Sequence, residues 1–244
     1  INYNTKLITM ATTRFYLDTP TVEIGVDEAG RGPLFGPVYV GAVILPKDND
    51  EFNFALLKDS KRFTSVKKIE EAANYIKENA VAWSVRAICE KEIDNINIRQ
   101  ATLKGMHLAI KDVVNTMQSD QYKKTDLMDY LLLVDGNDFK PLYYIPEHDE
   151  GCDNEPTLLN HVCVKGGDNI YNSIAAASIL AKVERDAYIK NLCDSYPLLS
   201  KYYGIDKNKG YGAKQHMQGI TNYGISQWHR TTFGICKMAK RIVL

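Results

Sequence analysis

Residues 25–45 read "GVDEAGRGPLFGPVYVGAVIL", which places two apolar runs on either side of a short, glycine-rich loop. Apolar residues alternate with others through residues 21–28, and this period of two predicts a β-strand. The run at 37–45 predicts a second strand. The loop between them is too short to hold a helix, so the two strands are expected to be antiparallel neighbours. An Asp-Glu pair ends the first strand and leads directly into this loop.

The rest of the chain predicts a mixed α/β sheet flanked by helices. Residues 80–88 and the nearly continuous apolar run at 130–137 predict further strands. The helices predicted from helical spacing lie at 65–79, from near Asn97, at about 169–193 and near 213–223. Neighbouring strands at the start, followed by alternating helices and strands, are typical of this fold class.

The composition is that of an ordinary globular protein, with 45% hydrophobic and 25% charged residues among 244. No apolar run approaches the roughly 20 residues that a membrane helix needs. The first residues lack the layout of a secretory signal, and the five cysteines show no C-x-x-C spacing. We therefore expect reduced thiols and a cytoplasmic location. No heptad repeat is visible, so a monomer is expected.

The charge is unevenly distributed along the chain. The net charge is zero, yet residues 201–244 carry eight basic residues against Asp206 alone, a net charge of +7. Such a segment predicts a local anion-binding surface, and a solvated lysine-rich tail is the alternative. We divide the chain into an N-terminal tail (1–20), a main domain (21–195) and a small, mostly helical, basic C-terminal extension (196–244).

Four acidic residues stand where buried elements end or where a helix faces the core. They are Asp27, Glu28, Asp135 and Asp186. A buried carboxylate is costly unless it is paired or bound to a metal. The set therefore predicts a site for Mg²⁺ or Mn²⁺, and two such ions would activate water for phosphodiester cleavage. The alternative is that these acids cap loops or pair with Lys182 or Arg185.

The loop after Glu28 contains the tripeptide Gly30-Arg31-Gly32. Glycines let a backbone approach a ligand closely, and an arginine between them can bond a phosphate. A simple turn is the alternative for such a tripeptide. Its direct attachment to two acids favours a binding loop.

Many blocks of this sequence resemble the ribonuclease HII family, also called type 2 ribonuclease H, and they follow the family's order. Beyond residues 25–45, the matching blocks are "LKDSKR" (57–62), "EIDNINIRQATLKGM" (92–106), "LLVDGN" (132–137), "VKGGD" (164–168), "SIAAASILAKVERDAY" (173–188), "NKGYGAKQH" (208–216) and "HRTTF" (229–233). The resemblance implies a ribonuclease H fold, with a five-stranded mixed sheet flanked by helices. It also implies hydrolysis of RNA in RNA–DNA hybrids and cleavage at single ribonucleotides in duplex DNA.

The resemblance further assigns roles to individual residues. The matching positions are Asp27, Glu28, Asp135 and Asp186 for the metal site; Gly30, Arg31 and Gly32 for the loop that reads the 2′-hydroxyl and the scissile phosphate; Tyr211 for stacking on the sugar at the junction; and Lys165 and Lys182 for basic positions near the nucleic-acid backbone. The basic extension would then grip the duplex through its phosphates. For Tyr211, packing between glycine turns is the alternative without the resemblance.

The chain departs from the family pattern in two places. "VKGGD" has one glycine more than the family's V-K-G-D, so the loop before the long helix is expected to be shifted. Residues 147–160 look inserted, and we expect an acidic surface loop there. A structural zinc site formed by His148, Cys152, His161 and Cys163 is the alternative, although their spacing is not a standard one.

Two hypotheses from different classes follow from these residues. The first is an active Mg²⁺- or Mn²⁺-dependent endonuclease that cuts 5′ of a ribonucleotide and leaves 3′-hydroxyl and 5′-phosphate ends. The second is a hybrid-binding module that has lost the chemistry. The presence of every matched acid and of the glycine loop favours the enzyme. Within the enzyme class, a ribonuclease HIII-like activity restricted to longer RNA runs is the alternative.

Overall fold

The computed structural model describes residues 12–57, 60, 63–119, 125–145 and 155–244. Its centre is one mixed sheet of six strands. The strands are β1 (Val22–Ala29), β2 (Val38–Ile44), β3 (Ala82–Ile88), β4 (Tyr130–Asp135), β5 (Leu142–Tyr144) and β6 (Thr157–Val164). The helices are α1 (Val66–Asn79), α2 (Glu90–Ile96), α3 (Ile98–Gln118), α4 (Asn172–Ser195), α5 (Pro197–Tyr203), α6 (Ile205–Asn208) and α7 (Lys214–Tyr223).

The strand order is β3-β2-β1-β4-β6-β5. Strands β1 and β2 are antiparallel neighbours, as the sequence predicts, and Asp27 pairs with Gly41 between them. Strand β3, which follows α1, adds to this part of the sheet antiparallel to β2. Strands β1, β4 and β6 are parallel to one another, with Val26 opposite Val134. The carboxyl ends of β1 and β4 therefore meet at one edge of the sheet, and this edge holds the predicted acids.

Helices cover both faces of the sheet. Ile24 and Val26 belong to a buried cluster with α3, whereas Val43 on the other face packs with α1 and α4. Helix α4 lies very close to the sheet, because a methyl group at Gly25 would overlap the backbone of Ser173 and one at Gly41 would overlap that of Ala177. This close approach brings the middle of α4 to the carboxyl end of β1.

The residues after α4 form a third buried cluster, built from α5, α6, α7 and the segment that follows them. Phe35 from the loop between β1 and β2 is fully buried in this cluster. Around it, the backbone of Leu34 accepts a hydrogen bond from the Arg230 N–H (2.8 Å) and donates one to the Gly210 carbonyl (2.8 Å). The C-terminal segment is thus tied to the glycine-rich loop by backbone hydrogen bonds.

The α/β fold class is confirmed, and the sheet has one strand more than the expected five. The additional edge strand is β5, which has only three residues, too few to give a period in the sequence. The long helix begins at Asn172 rather than near 169, because residues 167–169 form a 3₁₀ turn. Ser65 caps α1 as expected, accepting a hydrogen bond from the Lys68 N–H (3.3 Å).

The expected surface loop at 147–160 is wrong in its last four residues. Residues 157–160 belong to β6, which pairs with the central strand β4 and with β5. Residues 146–154, including His148 and Cys152, lie outside the described residues. None of the helices that the structure describes is long and apolar enough to cross a bilayer.

Candidate active site

A pocket of about 470 Å³ opens at the carboxyl ends of β1 and β4. All four predicted acids line it, together with the predicted loop, one of the two predicted lysines and the predicted tyrosine. These residues are Asp27, Glu28, Gly30, Arg31, Gly32, Asp135, Lys182, Asp186 and Tyr211. Two parallel neighbouring strands contribute the first acids because their carboxyl ends coincide, and α4 brings the last one. Residues from distant parts of the chain therefore converge as the sequence predicts.

Asp27 is the most deeply buried of the four acids, with 5% of its surface exposed. Its Oδ1 accepts a hydrogen bond from the Glu28 N–H (2.7 Å), and the Ser178 hydroxyl on α4 is a further partner. Burial raises the pKa of the Asp27 carboxyl well above its usual value, and the charges of Glu28 and Asp135 raise it further. The carboxylates repel one another here, and a bound cation would relieve that repulsion.

Asp135 is held from the other side by the loop that follows β6. Its Oδ1 accepts a hydrogen bond from the backbone N–H of Gly167 (2.7 Å). Gly166 has a positive φ of 67°, and this conformation turns the chain into the 3₁₀ segment that carries the Gly167 N–H. Both glycines of "VKGGD" therefore have a place in the loop that orients an acid of the pocket.

The donor chemistry of the pocket fits a hard divalent cation such as Mg²⁺ or Mn²⁺, because its charged acceptors are carboxylates. Among the described residues, no three His, Cys, Asp or Glu side chains are already close enough to hold an ion together. Two of the acids pair with basic side chains instead. Asp186 Oδ2 lies 2.9 Å from Lys182 Nζ, and Glu28 Oε1 lies 3.2 Å from Arg31 Nη1. A cation bound by these acids would compete with both basic groups.

The loop Gly30–Gly32 is shaped by two buried arginines. Gly30 has φ of 93°, and any larger residue there would overlap the side chain of Arg185. Arg185 is itself buried and donates to the carbonyls of Phe35 (3.3 Å) and Lys209 (2.9 Å). The sequence left open that Arg185 pairs with an acid of the pocket. Instead, Arg185 joins the glycine loop to the segment before Tyr211.

Arg230 holds the same loop through four carbonyl groups. Its guanidinium is fully buried and donates to the carbonyls of Gly30 (2.6 Å), Arg31 (2.9 Å), Pro33 (2.8 Å) and Gly36 (2.9 Å). Burial, together with the charge of Arg185, lowers the pKa of Arg230 to about 9. The guanidinium therefore serves as a rigid support of the loop rather than as part of a phosphate-binding surface.

Tyr211 lies across the pocket from this loop, with half of its surface exposed. Its ring approaches Gly32, because a methyl group at that glycine would lie 3.5 Å from Tyr211 Cε1. The backbone of Tyr211 is bonded on both sides: its N–H donates to the Asn208 carbonyl (3.0 Å), and its carbonyl oxygen lies 2.8 Å from His216 Nδ1. An exposed ring on a fixed backbone is suited to stacking on a ligand.

Comparison with known proteins shows which family the chain resembles. The family model described as Ribonuclease HII matches residues 24–236. A curated protein from Bacteroides thetaiotaomicron, named Ribonuclease HII, is 40% identical over 220 residues, which cover 90% of this chain and 93% of that protein.

The chain belongs to the ribonuclease HII family. It is therefore an enzyme of the ribonuclease H class, as the sequence predicts. Two solved structures show the same fold at low sequence identity. The ribonuclease H2 of Pyrococcus horikoshii OT3 has a TM-score of 0.64 and 21% identity, covering 88% of this chain and 95% of that one. Bst-RNase HIII in complex with Mn²⁺ has a TM-score of 0.59 and 18% identity, covering 88% of this chain and 68% of that one.

Of the ten positions to which the resemblance gives a role in the site, Lys165 alone does not line the pocket. It is exposed at the end of β6. Lys182 lines the pocket and pairs with Asp186.

Sequence reasoning missed the residues that support the site from behind. Five of them bond backbone atoms or acids of the pocket through side chains or N–H groups: Gly167, Ser178, Arg185, His216 and Arg230. The sixth, His229, bonds His216. Several of them fall inside quoted family blocks, yet nothing in the sequence indicates what each one contacts. The signal that could have found them is an arginine or histidine within an otherwise buried segment, where a charged or polar group requires a partner.

Proposed function

We propose that this chain is an endoribonuclease that hydrolyses the RNA strand of RNA–DNA hybrids and nicks duplex DNA 5′ of a single embedded ribonucleotide. The nick would leave 3′-hydroxyl and 5′-phosphate ends. The observation that carries the proposal is that one pocket holds both the four acids and the Gly30–Gly32 loop facing Tyr211. Acids alone would suit any phosphodiesterase, whereas the loop and the ring add a means of selecting the sugar.

The acids supply the hydrolytic part of the proposal. Asp27, Glu28, Asp135 and Asp186 would hold two divalent ions, Mg²⁺ or Mn²⁺, which when bound activate the attacking water and stabilise the leaving oxygen. Burial of Asp27 and its bond from the Glu28 N–H fix one carboxylate in place. Lys182 and Arg31 are partly exposed, and they would move from the carboxylates to substrate phosphates when the metal ions bind.

The glycine loop supplies the sugar selection. Arg230 takes the carbonyls of Gly30 and Arg31. A trans peptide points its N–H opposite to its C=O, so the N–H groups of Arg31 and Gly32 point away from Arg230. Neither N–H donates to an acceptor among the residues that the structure describes. Two such donors suit a ribose 2′-hydroxyl, which is the group that distinguishes RNA from DNA at a single nucleotide.

Tyr211 and the C-terminal residues supply the grip on the duplex. We propose that Tyr211 stacks on the sugar next to the ribonucleotide, and that residues 196–244 form a basic extension of the main domain that contacts phosphates. Six of the eight basic residues between 201 and 244 are exposed. Arg230 is fully buried and does not contribute to that surface. Lys165, exposed at the end of β6, is proposed to contact the nucleic-acid backbone outside the pocket. The enzyme is proposed to act as a monomer.

The test is an incision assay on a DNA duplex that carries one ribonucleotide, with Mg²⁺ or Mn²⁺ and with a chelator as the control. The proposal expects a metal-dependent nick in that duplex and none in the all-DNA duplex of the same sequence. Cleavage confined to hybrids with longer RNA runs would instead support the ribonuclease HIII-like alternative. Binding without incision under every metal condition would support the non-catalytic alternative.

A further inference from the structure

Two buried histidines lie directly behind Tyr211. His216 on α7 and His229 in the C-terminal segment are both excluded from solvent, with 0% and 1% of their surfaces exposed. Their Nε2 atoms are 3.0 Å apart. The other ring nitrogen of His216 lies 2.8 Å from the Tyr211 carbonyl oxygen. The histidines thus form a continuous hydrogen-bonded connection from residue 229 to residue 211.

The hydrogen-bond partners determine which nitrogen carries each proton. His229 Nδ1 lies 3.0 Å from the backbone nitrogen of Ser226, which can only donate, so this Nδ1 is an acceptor. The proton of His229 is therefore on Nε2, which donates to His216 Nε2. His216 then carries its own proton on Nδ1 and donates it to the Tyr211 carbonyl. With donation running from His229 to His216 and from His216 to Tyr211, each of the four ring nitrogens has a hydrogen-bond partner.

The surroundings keep both rings neutral and fixed. Burial lowers the pKa of both histidines, and burial together with the proximity of His216 lowers the pKa of His229 to about 3. Aromatic rings pack edge-on against His229: the centroid of Tyr203 lies 4.8 Å away and that of Phe35 lies 5.1 Å away. A charged imidazole would break the donation pattern, so neutrality and the connection to Tyr211 depend on each other.

The neighbouring residue leads to the other side of the pocket. Arg230 follows His229 in the chain and bonds the carbonyls of Gly30 and Arg31. The dipeptide His229-Arg230 therefore supports both parts of the proposed sugar-reading apparatus, with one side chain for each. A shift of this dipeptide would move the glycine loop and Tyr211 together.

We propose that His216 and His229 are positioning residues that set the place of Tyr211 relative to the Gly30–Gly32 loop, and hence the selectivity for a ribonucleotide junction. The inference rests on the proposed function, because it assigns a support to the proposed stacking residue. Neither histidine is proposed to touch the substrate or to exchange protons with it.

The test compares two substrates, a duplex with one ribonucleotide and a hybrid with a long RNA strand. His216→Phe keeps an aromatic ring but removes both hydrogen bonds, whereas His216→Asn keeps a donor close to the position of Nδ1. We expect His216→Phe to lower kcat/KM on the single-ribonucleotide duplex by about tenfold, the loss of one positioning hydrogen bond, and to lower it much less on the hybrid. His216→Asn should restore most of the loss. Equal losses on both substrates, with no rescue, would overturn the proposal.

A double-mutant cycle and an NMR measurement complete the test. Adding His216→Phe to Tyr211→Ala should cause little further loss at the junction, because the support acts through the tyrosine. Fully additive losses would contradict this. In the wild-type protein, ¹⁵N NMR should show His216 protonated at Nδ1 and His229 at Nε2, and any other tautomers would overturn the assignment. The NMR result does not depend on activity. If the wild type fails to nick the single-ribonucleotide duplex, the proposed function fails, and the NMR measurement still tests the hydrogen-bonded connection from His229 to Tyr211.

Discussion

Nη2 of Arg230 lies 2.6 Å from the carbonyl oxygen of Gly30, a residue 200 positions earlier in the chain. The C-terminal segment thus holds the loop that lies next to the acids. Arg230→Lys keeps the charge but cannot reach four carbonyls with one ammonium group. We expect kcat/KM on the single-ribonucleotide duplex to fall by at least about tenfold, since several buried carbonyls lose their donors. Arg241→Lys, an exposed arginine of the same segment, is the control and should retain activity. Equal activity of the two variants would refute the supporting role.

Asp27→Asn should separate stability from activity. Replacing this buried carboxylate removes its repulsion with Glu28 and Asp135. In the presence of a chelator we expect the free energy of unfolding to rise by about 1 kcal/mol. With Mg²⁺ or Mn²⁺ present, we expect cleavage to fall by more than about a hundredfold. Asp112→Asn is the control: it should lower the free energy of unfolding, because it breaks the ion pair with Arg86, and it should leave cleavage unchanged, because this pair lies away from the pocket. Full activity in Asp27→Asn would rule out the assigned acid site.

Lys182 should compete with a metal ion for Asp186. The two side chains are 2.9 Å apart and each is about one-third exposed, with 37% and 32% of their surfaces accessible. Such a pair is worth only a fraction of a kcal/mol, so Lys182→Met should tighten Mn²⁺ binding about threefold in a titration. The matched control is Lys190→Met, which breaks the same kind of i,i+4 pair with Asp194 nearer the C-terminal end of α4. Unchanged or weaker Mn²⁺ binding in Lys182→Met would contradict the competition.

The basic extension should contribute to binding through charge. Removing one phosphate contact lowers the slope of log K against log salt concentration by about one. We expect this change for Lys214→Ala at the start of α7, measured by hybrid binding at several salt concentrations. Lys111→Ala, an exposed lysine on α3, serves as the control and should leave the slope unchanged. An unaltered slope in Lys214→Ala would remove this lysine from the contact surface.

His229 should make the protein less stable in mild acid. Its pKa is about 3 in the folded protein, below the ordinary value of 6.5. Between these two pH values the unfolded chain binds a proton at His229 and the folded protein does not. Stability is therefore complete above about pH 6.5 and falls as the pH decreases, by about 2 kcal/mol between pH 7 and pH 5. The pH dependence of unfolding in His229→Asn should lack this contribution. An identical pH dependence in the two proteins would show that His229 is protonated in the fold. The raised pKa of Asp27 acts in the opposite direction and is common to both proteins.

The sequence predicted the strand-end acids because strand ends and apolar runs are local features. Asp27 follows an alternating strand and Asp135 follows a continuous apolar run, so the position of each acid could be read directly. Their convergence depends on the parallel pairing of β1 with β4, which the fold shows and the sequence pattern did not specify. The family resemblance then extended the site to the loop and to Tyr211.

The supporting residues could not be predicted in the same way. Arg230 appears in the sequence as one of several basic residues in a basic segment, and only the fold shows that it is buried beneath the glycine loop. The pairing of His216 with His229 joins positions 13 residues apart that share no helix or strand. Strand β5 was also missed, because three residues give no period and its stability comes from pairing with β6.

The most direct measurement maps the incision in a duplex that carries one ribonucleotide, with each end of the cut strand labelled in turn. The account predicts a single Mg²⁺- or Mn²⁺-dependent cut on the 5′ side of the ribonucleotide, with a 3′-hydroxyl and a 5′-phosphate at the nick. A cut on the 3′ side would contradict the predicted position of the nick. A product that ends in a 2′,3′-cyclic phosphate would contradict the mechanism, because the ribose 2′-hydroxyl and not water would then be the nucleophile.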